Sequence, residues 1–206
     1  MAASGKSELR TSAPHVARGT KARKLRIIGG TWRGRTWRFP EGQIRPTPDR
    51  VRETLFNWLA HDLAGARCLD LFAGSGALGL EALSRGAARA VFVEQSAAAV
   101  RELRKTVAAW GGQPAAAVQI HLVDAQAFLA GRPEVFDVVF LDPPFAAGLL
   151  TQVAAGLEAG QWLKAGALIY AECPAREGLP TLPAAWSVAK SGRAGEVGYH
   201  LLRRTP

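Results

Sequence analysis

The spacing of apolar positions changes three times along the chain. Residues 1–23 show no apolar period and are rich in Ala, Ser, Gly, Lys and Arg, so a disordered basic tail is expected there. Two short strand-like runs, at 25–28 and 35–39, flank Gly29-Gly30-Thr31-Trp32-Arg33-Gly34, which predicts a hairpin with a glycine-rich loop. Val51, Leu55, Trp58 and Leu59 then recur at helical spacing. Thr47 is placed to cap that helix, Pro48 suits its first position and Asp49 suits the positive end of its dipole. The helix is expected to end near His61 and to pack on the main body of the protein.

Beyond it, apolar runs at 67–71, 89–94, 117–122, 135–141 and 167–172 alternate with helical patterns. The clearest helix covers 96–110, where Val100, Leu103, Val107 and Trp110 form a stripe. Continuous apolar strands between helices predict a mostly parallel sheet covered on both faces. Two further strands, at 185–189 and 197–203, are joined by residues 190–196, too few for a crossover helix, so they must pair antiparallel. The prediction is an α/β fold with a seven-stranded, mostly parallel sheet ending in an antiparallel C-terminal hairpin. A small N-terminal hairpin and helix precede it, which divides the chain into a tail (1–23), an extension (24–62) and a main domain (63–206).

Composition adds little, with 48% hydrophobic and 21% charged residues. No apolar run is long enough to span a bilayer, and the first residues lack a signal-peptide core, so a cytoplasmic protein with no membrane partner is expected. Cys68 and Cys173 sit in apolar runs and read as buried reduced thiols. His15, His61, His121 and His200 lack ligand spacing, so no metal is inferred.

Charge does change the picture. Residues 1–52 carry 13 Lys or Arg against 3 Asp or Glu, whereas residues 53–206 carry 13 against 14. A basic arm on a near-neutral domain suits a polyanionic partner, with Arg26, Arg33, Arg35, Arg38, Arg45, Arg50 and Arg52 as candidate contacts. Trp32, Trp37 and Phe39 lie among these charges and could either stack on bases or hold an ordered structure.

The chemistry centres on Cys68-Leu69-Asp70-Leu71-Phe72-Ala73-Gly74-Ser75-Gly76-Ala77-Leu78-Gly79, an apolar strand turning through glycines into a helix. Gly74, Gly76 and Gly79 fit the dinucleotide pattern, with Glu94 spaced to hold a ribose. Asp70 favours another cofactor. A carboxylate before the glycines suits the ammonium of a methionine moiety better than a pyrophosphate, which points to S-adenosylmethionine (SAM) and to the Rossmann-like methyltransferase version of this fold. Asp70, Phe72, Ala73, Gly74, Ser75 and Gly76 would line the cofactor, with Glu94 on the ribose and Asp124 and Ala125 on the adenine. Asp124 alone reads equally well as a helix cap.

Val139-Phe140-Leu141-Asp142-Pro143-Pro144-Phe145 is the most specific signal. Two prolines fix the backbone, and the Asp142 carboxylate and Pro143 carbonyl could accept the two hydrogens of a base amino group while Phe145 stacks on the ring. Asp142, Pro143, Pro144 and Phe145 are therefore the candidate catalytic residues. This segment resembles the D/N-P-P-Y/F motif of amino-group nucleic-acid methyltransferases. Together with Arg26-Ile27-Ile28-Gly29-Gly30-Thr31-Trp32-Arg33-Gly34-Arg35, the block from Arg45 to Leu59 and the block from Asp70 to Ala82, it resembles the RsmD family over about residues 24–204. The resemblance implies a SAM-bound domain, an N-terminal extension that helps grip RNA, and methylation of N2 of one guanine in bacterial 16S ribosomal RNA within the assembled small subunit. A monomer is expected. Three alternatives stay open at this point: an amino-group methyltransferase acting on another RNA or DNA base, a basic RNA-binding assembly factor, and an NAD-dependent oxidoreductase.

Overall fold

The computed structural model describes residues 22–40, 47–111, 117–145 and 148–205. Most of the expected tail lies outside the described residues, as does Arg45. A small antiparallel ribbon opens the chain, β1 (Ala22–Arg26) with β2 (Thr36–Pro40). Helix α1 (Asp49–Trp58) follows, and then β3 (Arg67–Asp70), α2 (Ala77–Ser84), β4 (Arg89–Glu94), α3 (Ala97–Trp110), β5 (Val118–Leu122), α4 (Ala125–Leu129), β6 (Phe136–Leu141), α5 (Leu149–Ala159), β7 (Leu163–Pro174), β8 (Trp186–Ala194) and β9 (Val197–Arg204).

The large sheet has seven strands in the order β5-β4-β3-β6-β7-β9-β8. β5, β4, β3, β6 and β7 run parallel, while β9 pairs antiparallel with both β7 and β8. The order of strands reverses its direction of build between β3 and β6. That switch point is where the strand ends leave a crevice for a ligand.

Two apolar layers cover the sheet. One face packs on α4 and α5, through Ala125, Leu150, Val153, Ala154 and Leu157. The other packs on α1 and α2, on Leu103 of α3, and on the small ribbon, whose Leu25, Trp37 and Phe39 belong to the same core as Leu55, Phe56 and Phe140. The N-terminal extension therefore shares its core with the main domain. Full burial of Leu55, Phe56 and Leu59 contributes about 1.5–3 kcal/mol each.

Two local readings of the sequence are corrected, and one left open is decided. Pro48, not Thr47, is the N-cap of α1, with no side-chain cap bond, because the Thr47 hydroxyl is turned inward to the carboxyls of Asp142 and Glu172. Residues 190–194, read as part of a loop, extend β8 and pair with β9, leaving only two residues in the turn. Of the two roles open to Trp32, Trp37 and Phe39, the structure shows the ordering one: all three are buried, and the two tryptophans pack edge-on against Trp110 of α3. Cys68 and Cys173 are free and buried, and burial pushes both thiols up.

Candidate cofactor and catalytic site

The turn between β3 and α2 is built to leave amides at a helix start. Gly74 and Gly76 take φ of 51° and 77°, a conformation that side chains with a Cβ resist. Gly79 serves packing: a Cβ there would lie 2.3 Å from the Phe92 ring, so its absence lets α2 lie on β4. The turn is held from four sides. Gly74 N–H donates to Glu94 Oε2 at 2.8 Å, Ala73 N–H to the Val93 carbonyl at 2.9 Å, Gly79 N–H to Asp70 Oδ2 at 3.0 Å, and Trp37 Nε1–H to the Ser75 carbonyl at 2.9 Å.

Asp70 and Glu94 thus organise the turn as well as facing it. Glu94 Oε1 also accepts from Ser96 N–H at 2.7 Å, so its carboxylate bridges the glycine turn and the start of α3. Each of its oxygens keeps a second lone pair for a ligand hydroxyl. Asp70 is buried, and that burial, helped by the charge of Glu94 and opposed by the Gly79 amide, pushes its carboxyl up to about 7. An ordinary Asp ionises near 4, so the folded chain keeps this proton through the window from about 4 to 7 and its stability declines as pH rises across it. A cation bound beside Asp70 offsets that cost.

Asp124 is exposed and caps α4, accepting from Ala127 N–H at 2.9 Å through Oδ1, while Ala125 is buried behind it. The cap uses one oxygen only.

At the end of β6 the chain enters Asp142-Pro143-Pro144-Phe145. Pro143 is buried, Pro144 exposed, and the Phe145 ring is 48% exposed, a large aromatic side chain in a described loop with little protein around it. Asp142 is partly exposed, and its carboxyl is turned toward Thr47 and Glu172. Thr47 Oγ1 lies 3.2 Å from its Oδ2 and 3.1 Å from Glu172 Oε1, and the Tyr170 hydroxyl donates to Glu172 Oε1 at 2.6 Å. Burial first, then the charges of Glu172 and Asp70, raise the Asp142 carboxyl well above the usual carboxylate range, with the Thr47 hydroxyl opposing them. Asp70 lies within electrostatic reach of both Glu94 and Asp142, and the three stand at one end of the sheet.

Sequence reasoning missed Thr47, Tyr170 and Glu172. The signal was present for Glu172, because it falls near the carboxyl end of a parallel strand as Asp70, Glu94, Asp124 and Asp142 do.

On the ribbon and α1, Arg26, Arg33, Arg35, Arg38 and Arg50 are exposed. Arg26 is engaged at the surface with Asp49, and Arg35 packs over Trp32 and Trp110 while donating to the Trp110 carbonyl. Arg52 is a correction. It is fully buried, donating to Asp49 at 2.6 Å and to the Arg26 carbonyl at 3.0 Å with Glu81 3.8 Å away, so it braces the extension and offers nothing to a phosphate. Among the described residues, no group of three or more His, Cys, Asp and Glu side chains is placed to hold a metal, and no helix is long and apolar enough to cross a membrane.

A family model described as conserved hypothetical protein 95 matches residues 25–203. The chain is 49% identical over 182 residues to ribosomal RNA small subunit methyltransferase D of Escherichia coli K12, covering 88% of this chain and 90% of that one. The protein of the same name from Haemophilus influenzae is 41% identical over 181 residues, covering 86% and 93%. Among solved structures, the putative methyltransferase yhhF from Escherichia coli superposes with a TM-score of 0.83 at 47% identity, covering 89% of this chain and 99% of that one.

Proposed function

The chain belongs to the RsmD family of small-subunit ribosomal RNA methyltransferases, and on that premise we propose that it moves the methyl group of SAM to the exocyclic N2 of one guanine in 16S ribosomal RNA, on the assembled small subunit. One observation carries the reading. The rigid Asp142-Pro143-Pro144-Phe145 loop, with a carboxyl turned toward Thr47 and an exposed aromatic residue, stands at the same sheet end as the glycine turn with its two ordered carboxyl groups.

The donor set fits SAM. Asp70 is a buried carboxyl that a cation would ionise, Glu94 has lone pairs for a ribose, and Asp124, whose cap uses one oxygen, would with the Ala125 amide take the adenine. When bound, SAM supplies an electrophilic methyl on a sulfonium. The protein's own work is positioning. Phe145 stacks on the extruded base, and Asp142 with the Pro143 carbonyl accepts its two amino hydrogens, which turns the nitrogen lone pair toward the methyl. As positive charge grows on nitrogen, those two acceptors hold it more tightly than they hold the neutral amine. Exposed Arg33, Arg38 and Arg50 supply phosphate contacts from the extension, and Arg26 and Arg35 add charge to the same surface.

Glu94→Ala should weaken SAM by at least about tenfold, since hydrogen bonds to a charged group are worth about 1.5–3 kcal/mol each. The loss has two sources, the ribose contact and the release of Gly74 from its anchor. Calorimetric titration of SAM into wild type and variant measures it. Equal affinities would remove Glu94 from the cofactor site, and a wild type that bound NADH tightly but not SAM would overturn the function.

A further inference from the structure

We propose that Glu172 is a positioning residue for this methyl transfer, forming with Asp142 a carboxylate pair, bridged by the Thr47 hydroxyl, that aims Asp142 at the substrate amino group and shares the proton it releases. The proposal rests on the methyltransferase function and adds residues from two other parts of the chain to it.

Register brings the pair together. β6 and β7 run parallel with Leu141 opposite Ala171, so the next residue on each strand sets Glu172 beside Asp142. Tyr170 and Glu172 alternate with Ala171 and so share one face of β7, the face toward the segment that precedes α1. Three of the participants are enclosed, with Glu172 4% exposed, Thr47 6% and Tyr170 0%, while Asp142 is partly exposed and so open to a substrate.

Hydrogen counting then limits what the cluster can be. Thr47 has one hydroxyl hydrogen but contacts an oxygen of each carboxyl, at 3.2 and 3.1 Å, so it can donate to only one of them at a time. The other contact is favourable only if that carboxyl carries a proton. Tyr170 donates its hydrogen to Glu172 at 2.6 Å, the length of a bond to an ionised acceptor, which places the resting charge on Glu172 and the proton on Asp142. The raised position of the Asp142 carboxyl agrees with that assignment. Among the described residues, the titratable groups around the pair are Asp70 of β3, Tyr170 and Cys173 on β7 itself, and Tyr199 of β9, which lies opposite Glu172 in register.

The step balances. The N2 lone pair forms the new N–C bond while the C–S bond breaks and its electron pair goes to sulfur. One N2–H bond breaks and its proton passes to Asp142, whose own proton has moved toward Glu172 as charge developed on nitrogen. The pair then holds two protons and returns one to water. A single proton shared between two carboxyls keeps the pair singly ionised over a wide pH range, as a lone buried carboxyl does not.

The test is single-turnover methylation of small subunits, isolated from a strain lacking this protein, by the full-length chain at saturating SAM between pH 5.5 and 9. Glu172→Gln should leave Asp142 to ionise alone, so its acid limb moves up by at least about one pH unit and its rate falls about tenfold per unit below it. The deficit should shrink as pH rises, with SAM affinity and the KM for subunits within about threefold of wild type. Thr47→Val should lose about tenfold, and Thr47→Ser, which keeps the hydroxyl, should recover to within about threefold of wild type. Independently of catalysis, Asp142→Asn should raise the melting temperature by at least about 2 °C at pH 8.5 and not at pH 4.5, because a carboxyl with a raised folded pKa costs stability only above its unfolded pKa. A Glu172→Gln rate that parallels wild type at every pH, or is lowered equally at every pH, overturns the proposal, as does an Asp142→Asn melting shift that is the same at both pH values. A wild type that methylates no subunit overturns the function itself, a result distinct from either of these.

Discussion

Asp142→Ala should lower kcat roughly 10²–10³-fold, the usual cost of removing one preorganised polar partner of a developing charge. Guanine N2 is a poor nucleophile because its lone pair is delocalised into the ring, so a carboxyl oxygen that accepts its hydrogen acts where the barrier is highest. SAM affinity should change by less than about threefold, since the Asp142 carboxyl is bonded to Thr47 and lies beside Glu172, and does not hold the glycine turn. The fold should also survive, because the substitution removes a carboxyl whose ionisation the interior disfavours. Single-turnover rates and SAM titrations on the same preparations check both halves. A variant within about threefold of the wild-type rate would remove Asp142 from the catalytic step.

The second large effect is on stability. Glu81→Ala should cost about 3–5 kcal/mol, the range found when one partner of a buried ion pair is removed, which is a large share of a typical folding free energy of about 5–15 kcal/mol. Glu81 is fully buried on α2, and it accepts from Ile28 N–H, Gly29 N–H and Arg85 Nε–H, each at 2.8 Å. Arg52 Nη1 stands 3.8 Å from it and is also fully buried. Alanine would strand two backbone donors where the chain leaves β1 and weaken the charge balance of Arg52, loosening the extension from the sheet. Urea denaturation of wild type and variant measures this. A loss below about 1 kcal/mol would mean that the ribbon is held mainly by Leu25, Trp37 and Phe39 packing.

Glu81 and Arg52 also show where sequence reading stops. Residues 67–71, 89–94 and 135–141 were legible because a strand buried on both faces is a continuous apolar run, and the glycine turn was legible because its geometry demands particular residues. Arg52 flanks an apolar stripe and reads as a solvent-facing cation. Its burial becomes tolerable only once the fold brings up Glu81 and the Arg26 carbonyl from other elements to join Asp49 around it. The tryptophans among the basic residues fit base stacking and an ordered structure equally well in sequence, and only the contacts of Trp37 with Trp110 and the Ser75 carbonyl decide for the second. Residues 190–194 read Lys190-Ser191-Gly192-Arg193-Ala194, with no β-branched or large apolar residue to mark a strand, so their pairing with β9 follows from backbone bonds the sequence does not display. Thr47 has the right identity for a cap, but the carboxyls it contacts come from β6's end and β7, far along the chain.

The most direct measurement is to incubate the full-length chain with labelled SAM and small subunits from a strain lacking it, digest the RNA to nucleosides and identify the labelled product. The mechanism proposed for Asp142, Pro143 and Phe145 predicts label in N2-methylguanosine, approaching one methyl per subunit and depending on the Asp142 carboxyl. Label on another base or ring position, or tight subunit binding with no methyl incorporated, would contradict it.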